Sequence, residues 1–141
     1  NFMKTVNIPK FTFEPYGIWK EETTFKFFIN KEIGGSSSIF EHKDSVLDFE
    51  AKCYSIDQMM SKYNHQHIDI IKIDIEGAEY QIIEFVEAYQ PDALFVELHM
   101  GKVKQYAQPT LERLSALYPK QHVKELIVFQ SVAGYDCWFT K

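Results

Sequence analysis

The spacing of apolar and polar residues divides the first half of the chain into short strands and one helix. Apolar residues alternate with polar ones at residues 23–29, which is typical of a strand that is buried on one face. We predict further strands at residues 10–19, with a turn at residues 15–17, and at residues 51–55. Ser55 is a residue type that caps helices, so we expect a helix over residues 56–63.

In the second half, strand patterns alternate with helix patterns. Residues 68–75 are a nearly continuous run of Ile, typical of a central strand that is buried on both faces of a parallel sheet. The patterns that follow predict a helix at 78–89, a strand at 93–98, a helix at 109–118, and strands at 123–130 and 136–140 joined by a turn at 131–135. This order predicts one α/β domain over residues 1–141, with a Rossmann-like, mostly parallel sheet and a C-terminal antiparallel hairpin.

Composition narrows the function classes. The 141 residues are 45% hydrophobic and carry a net charge of −5, which favours a packed domain and argues against binding of nucleic acid. The sequence has no apolar run of the roughly 20 residues that a membrane span needs, and no signal peptide. Cys53 and Cys137 lie far apart in no metal-binding motif, so we expect two reduced, buried thiols and a cytoplasmic protein.

Polar residues gather where two of the predicted strands end. Asp74 and Glu76 follow the Ile-rich strand, and Glu97 and His99 end the next one. Ligands of open α/β sheets bind at the carboxyl ends of the strands. If the two strands are neighbours, three carboxylates and an imidazole meet in one crevice, and these four residues are the candidate catalytic set.

Several residues near this crevice have a purely structural interpretation. Gly77 allows a tight turn from strand to helix, and Glu79 complements the dipole in the first turn of the helix. Lys72 is more readily a partner in a structural ion pair than a catalytic lysine. Asp74 is harder to explain structurally. A carboxylate that follows an Ile-rich strand must lie at the solvent-accessible end of the strand, because its burial would destabilise the fold by roughly several kcal/mol through desolvation.

Such a crevice supports two kinds of chemistry. Its carboxylates offer the oxygen ligands that Mg²⁺ or Ca²⁺ prefers, with His99 as a further ligand for a softer metal. Alternatively, Asp74, Glu97 or His99 acts as a general base that deprotonates a hydroxyl group. Spacing alone does not choose between these.

The sequence I-D-I-I-K-I-D-I-E-G-A-E-Y at residues 68–80 resembles the signature of the FkbM-type methyltransferases, whose members carry K-I-D-x-E-G-x-E after an apolar strand. Weaker similarities occur in the family's order at residues 11–28, 55–60, 91–99 and 134–139, so the resemblance covers most of the chain. It implies a Rossmann-like fold that transfers a methyl group from S-adenosylmethionine, usually to oxygen. By this analogy Asp74 lies beside the methyl donor, and Glu76, Glu97 and His99 lie near the acceptor.

The resemblance also places the turn that includes Tyr16, Gly17 and Ile18 near the adenine of the donor. The acceptor would be a small molecule or a sugar hydroxyl. The chain departs from the family in having no G-x-G turn after an early strand. We therefore expect one of two situations. Either the chain is part of a longer protein and lacks the first βαβ unit here, or it is a shortened form that does not bind the donor in the usual way and is inactive alone.

Without that unit, the strand at residues 68–75 would have a free apolar edge. An exposed edge promotes association, so we predict that it pairs with residues 10–19 or with another copy of the chain. Two rival functions remain open. One is a non-catalytic α/β interaction module, and the other is a metal-dependent hydrolase or phosphotransferase that uses Asp74, Glu76, Glu97 and His99 but lacks the usual Gly-Lys-Ser/Thr loop.

Overall fold

The computed structural model describes residues 11–29, 37–41, 44–128 and 131–141. The sequence Gly34-Gly35-Ser36-Ser37-Ser38 predicts a flexible connector, of which residues 34–36 lie outside the described chain. The described elements follow one another along the chain as β1 (Gly17–Trp19), β2 (Thr23–Ile29), β3 (Val46–Ser55), α1 (Ile56–Tyr63), β4 (Ile70–Ile73), α2 (Glu79–Tyr89), β5 (Ala93–His99), a 3-10 helix (Gly101–Tyr106), α3 (Ala107–Leu117), β6 (Lys120–Val128) and β7 (Ser131–Thr140).

The first three strands form a sheet of their own, in the order β1-β3-β2. Strand β1 runs parallel to β3, with Gly17 opposite Cys53, and β2 runs antiparallel to β3. The predicted strand at residues 10–19 is wrong for residues 11–16, and residue 10 lies outside the described chain. Pro15, which has no N–H to donate, immediately precedes the turn into β1. Strand β3 begins five residues before the predicted residue 51.

Helix α1 has the predicted bounds because its sequence supplies both halves of a capping box. The Ser55 hydroxyl accepts a hydrogen bond from the Gln58 N–H at 3.2 Å, and the Gln58 side chain accepts one from the Ser55 N–H at 2.9 Å. These two bonds satisfy backbone donors that the first turn of a helix leaves free. The helix ends at Asn64, whose backbone is left-handed.

The second sheet has the order β4-β5-β7-β6. Strands β4 and β5 are parallel neighbours, whereas β5–β7 and β7–β6 are antiparallel pairs. The predicted α/β class, the strand–helix order and the C-terminal hairpin are therefore confirmed. Both described sheets are mixed, however, and not mostly parallel.

The strand predicted at residues 68–75 is shorter and less buried than expected. It spans Ile70–Ile73, and within the described residues it pairs only with β5. Ile70 is 64% exposed, so the prediction of a central strand buried on both faces is wrong. The described part of the predicted partner, residues 11–19, does not pair with this free edge, since β1 pairs with β3. Pairing of this edge with another copy stays a prediction.

The last two strands are longer than predicted, and the turn predicted at residues 131–135 is wrong. Strand β7 begins at Ser131, and residues 129 and 130, which connect it to β6, lie outside the described chain. Gly134 is a strand residue rather than a turn residue: a Cβ there would lie 2.6 Å from the Leu98 carbonyl oxygen of β5. Helix α3 begins at Ala107, two residues before the predicted Pro109, directly after the 3-10 helix.

One apolar core joins α2, α3 and strands of both sheets. Leu94, Leu98, Leu114 and Phe139 are fully buried in it. Cys53 and Cys137 are buried and free, as predicted. No helix within the described residues is long and apolar enough to cross a membrane.

Candidate active site

The segment between β4 and α2 makes a tight left-handed turn. Glu76 has φ +55° and Gly77 has φ +97°. Two successive residues therefore have a backbone conformation that residues other than glycine rarely adopt. This turn carries the chain from the end of β4 into α2 and confirms the structural role predicted for Gly77. A strained non-glycine residue of this kind is often found at a functional site.

Glu79, the first residue of α2, faces the interior and is 0% exposed. Its Oε1 accepts hydrogen bonds from the backbone N–H of Ile75 at 3.2 Å and of Gly77 at 3.0 Å. Its Oε2 is buried and has no hydrogen-bond partner among the described residues. Burial of a carboxylate is costly unless it is paired and hydrogen-bonded, so the role of Glu79 goes beyond the helix dipole.

His99, the last residue of β5, brings the carboxylates together. Its Nδ1 lies 2.9 Å from Glu79 Oε1, and its Nε2 lies 3.4 Å from Glu76 Oε2 and 3.3 Å from Glu97 Oε1. Because β4 and β5 are parallel neighbours, the residues after both strand ends meet at one edge of the sheet, as predicted.

The carboxylates around His99 change its charge state. The hydrogen bond to Glu79 raises the pKa of His99 to about 9, and the charges of Glu79, Glu76 and Glu97 add to this effect while burial opposes it. Burial also raises the pKa of Glu97; the positive charge of His99 opposes this, and the negative charges of Asp74, Asp136 and Glu76 add to it. At neutral pH the site therefore holds an imidazolium ion among carboxylates.

Asp74 lies at the end of β4, as predicted, and its side chain is 39% exposed. Lys72 Nζ lies 3.1 Å from Asp74 Oδ2, which is the structural ion pair expected of Lys72. Ligand atoms of Asp74, Glu97 and His99 lie within 4.8 Å of one another, a spacing that would suit a metal ion. Since the pKa of His99 is raised to about 9, a metal ion that used this ring as a ligand would have to displace its proton.

The residues predicted to bind the donor do not all come together. A cavity of about 290 Å³ is lined by Gly17 and Ile18 of β1, by Asp74 and Glu76, and by apolar residues that include Trp19. The structure places Tyr16 elsewhere. It is half-exposed and packs edge-on against Tyr54, with ring centroids 4.9 Å apart.

The family model of the methyltransferase FkbM domain matches residues 6–137. The chain belongs to this family. The resemblance that the K-I-D-I-E-G-A-E motif indicated is thus confirmed, and with it a methyltransferase as the general class. No curated protein and no solved structure matches the chain.

Sequence reasoning gave one central residue of this FkbM domain a smaller role than the structure does. Glu79 was interpreted as a complement to the helix dipole, yet it anchors both the turn and His99. Its position directly after Gly77-Ala78 was the available signal, because a helix that starts immediately after a tight turn directs its first residues toward the turn. Its partner His99 comes twenty residues later on another strand, so burial of Glu79 was not readable from local sequence.

Proposed function

We propose that this domain provides the active site of an S-adenosylmethionine-dependent methyltransferase that acts on a hydroxyl oxygen of a small molecule or sugar. The observation that carries the proposal is the hydrogen bond between the buried carboxylate of Glu79 and the ring of His99. It fixes the imidazole at a place where Glu76 lines two cavities, one beside Asp74 and a larger one beside His99. A donor and an acceptor that approach from these two cavities would meet at this point.

The cavity beside Asp74 fits the donor chemically. Ile18 and Trp19 offer apolar surface for a purine ring, and the carboxylates of Asp74 and Glu76 suit ribose hydroxyls and a positive sulfonium. Its volume of about 290 Å³ is at the lower limit of small-molecule sites, which span roughly 300–1,000 Å³. When bound, S-adenosylmethionine supplies an electrophilic methyl group and retains on its sulfur the electron pair of the broken C–S bond.

His99 is the residue that we assign as general base. In the neutral ring Nδ1–H donates to Glu79, which leaves the Nε2 lone pair free. Nε2 would take the proton of the acceptor hydroxyl, and Glu76 and Glu97 would stabilise the resulting imidazolium. Because the pKa of His99 is about 9, the rate should rise with pH until about 9.

Calorimetric titration of S-adenosylhomocysteine into the protein at its full natural length tests the proposal. We expect micromolar binding that Asp74→Asn weakens by about tenfold or more, since a carboxylate contact to the ligand is lost. Asp69→Asn, an exposed carboxylate just before β4, is the matched control and should leave binding unchanged. A folded full-length protein that does not bind the ligand would contradict the proposal and favour the non-catalytic interaction module.

A further inference from the structure

The larger cavity beside His99 has mainly apolar walls. Its volume is about 840 Å³, and Glu76 and His99 are the candidate catalytic residues that line it. Apolar side chains form most of the remaining surface, contributed by Ile39, Phe40, Met100, Val103, Val132 and Ala133. A cavity of this size and lining suits a ligand with an extensive apolar body.

Several polar groups around this cavity already have partners. The Met100 N–H donates to the Ala133 carbonyl at 2.8 Å, and the Val103 N–H donates to the Met100 carbonyl at 2.9 Å. The Tyr80 hydroxyl donates to the His99 carbonyl at 2.5 Å. A sugar would bring several hydroxyl groups against these walls, and each buried hydroxyl without a partner costs about 1–3 kcal/mol. Apart from the exposed side chains of Glu41 and Lys104, the described walls therefore offer few hydrogen-bond partners to a sugar.

The charge near the reacting end disfavours an anionic acceptor. The carboxylates of Asp74, Glu76, Glu79 and Glu97 gather around His99, and only two positive charges, those of His99 and of Lys72 beside Asp74, offset them. At the cavity lining, Glu41 and Lys104 are exposed and of opposite sign, so together they add no net charge. An acceptor that carries a carboxylate or phosphate beside its hydroxyl would be repelled by this group.

We propose that the methyl acceptor is an uncharged alcohol or phenol with a largely apolar body, and not a sugar or an anion. The hydroxyl lies against Nε2 of His99, and the apolar body lies along Met100, Val103 and Ala133. This inference rests on the proposed function, since it assigns the acceptor of that same site.

Binding of three matched probes tests the proposal without the donor. The probes are 4-pentylphenol, 4-pentylbenzoate and methyl glucoside, added at neutral pH to the full-length protein while methyl NMR signals of Val103, Met100 and Ala133 are followed. We expect saturable shifts with the phenol, at a dissociation constant about tenfold or more below those of the other two probes. Equal or tighter binding of the benzoate or the glucoside would overturn the proposal.

Two variants locate the site. Val103→Phe narrows the cavity and should weaken phenol binding about tenfold or more. Met60→Phe alters a separate apolar cavity, of about 420 Å³, between α1 and β4 and should leave phenol binding unchanged. Phenol-induced shifts confined to Met60 and Ile71 would overturn the proposal. If Val103→Phe does not fold, the comparison of the three probes in the unaltered protein still tests the proposal.

A separate methylation assay distinguishes failure of this inference from failure of the proposed function. Tight phenol binding at Val103 without methyl transfer from S-adenosylmethionine would support the acceptor cavity and contradict the methyltransferase proposal. Methyl transfer to the glucoside in preference to the phenol would support the methyltransferase and overturn the inference.

Discussion

The hydrogen bond between Glu79 and His99 makes a quantitative prediction for the Glu79→Gln variant. The amide oxygen can still accept the N–H groups of Ile75 and Gly77, but the negative charge beside Nδ1 is gone. In the unaltered protein the pKa of His99 is about 9 instead of 6.5. That difference corresponds to roughly 3 kcal/mol in favour of the imidazolium.

Because Glu79 is the largest cause of the raised pKa, we expect the pKa of His99 in Glu79→Gln to fall by more than about one pH unit. Glu76 and Glu97 remain in the variant, so their negative charges should keep part of the increase in the pKa of His99. The assay is an NMR titration of the His99 ring between pH 5 and pH 10. Glu84→Gln, on the exposed face of the same helix, is the control and should leave the pKa unchanged.

The same titration has a consequence for stability. A histidine with a raised pKa in the folded state stabilises the fold fully below about pH 6.5, and this contribution is lost as the pH rises through about 9. The free energy of unfolding should therefore decrease between these values by up to roughly 3 kcal/mol, and by less in Glu79→Gln. A pKa of His99 near 6.5 in the unaltered protein, or one that Glu79→Gln does not change, would refute the reasoning.

Three substitutions test the backbone features that build the fold and the site, each by thermal or denaturant unfolding. Glu76→Val should cost about 1–2 kcal/mol and Glu76→Gly much less, because the left-handed backbone at φ +55° disfavours a β-branched side chain; equal losses would contradict this. Gly134→Ala should cost about 2 kcal/mol or more, since its Cβ would lie 2.6 Å from the Leu98 carbonyl oxygen. Gly101→Ala meets no atom within 4 Å and bears only the backbone strain of its φ of +22°, so it should cost less. Ser55→Ala should cost about 1 kcal/mol through loss of the capping box, and an unchanged stability would show that the cap is dispensable.

Local signals allowed some elements to be predicted to the residue. Helix α1 is correct because Ser55 and Gln58 cap it within four residues of sequence, and strand β2 is correct because apolar and polar residues alternate over most of its length. The gathering of Asp74, Glu76, Glu97 and His99 was also predictable, since it follows from two adjacent parallel strands.

Features that depend on distant partners were not predictable. The Ile-rich run at residues 68–75 resembled a central strand with a neighbour on each side. It has only one described neighbour, because β1 pairs with β3 in the first sheet and not with β4. Gly134 resembled a turn residue because its close neighbour, the Leu98 carbonyl, belongs to another strand. Glu79 was interpreted as a complement to the helix dipole because its partner His99 is twenty residues away.

A crystal structure of the full-length protein with bound S-adenosylhomocysteine would test the central claim most directly. We predict that the ligand lies in the cavity lined by Ile18, Trp19 and Asp74, with its sulfur directed toward Glu76 and Nε2 of His99. A ligand bound away from Asp74, or with its sulfur directed away from His99, would contradict the assignment of this edge of the sheet as the methyl-transfer site.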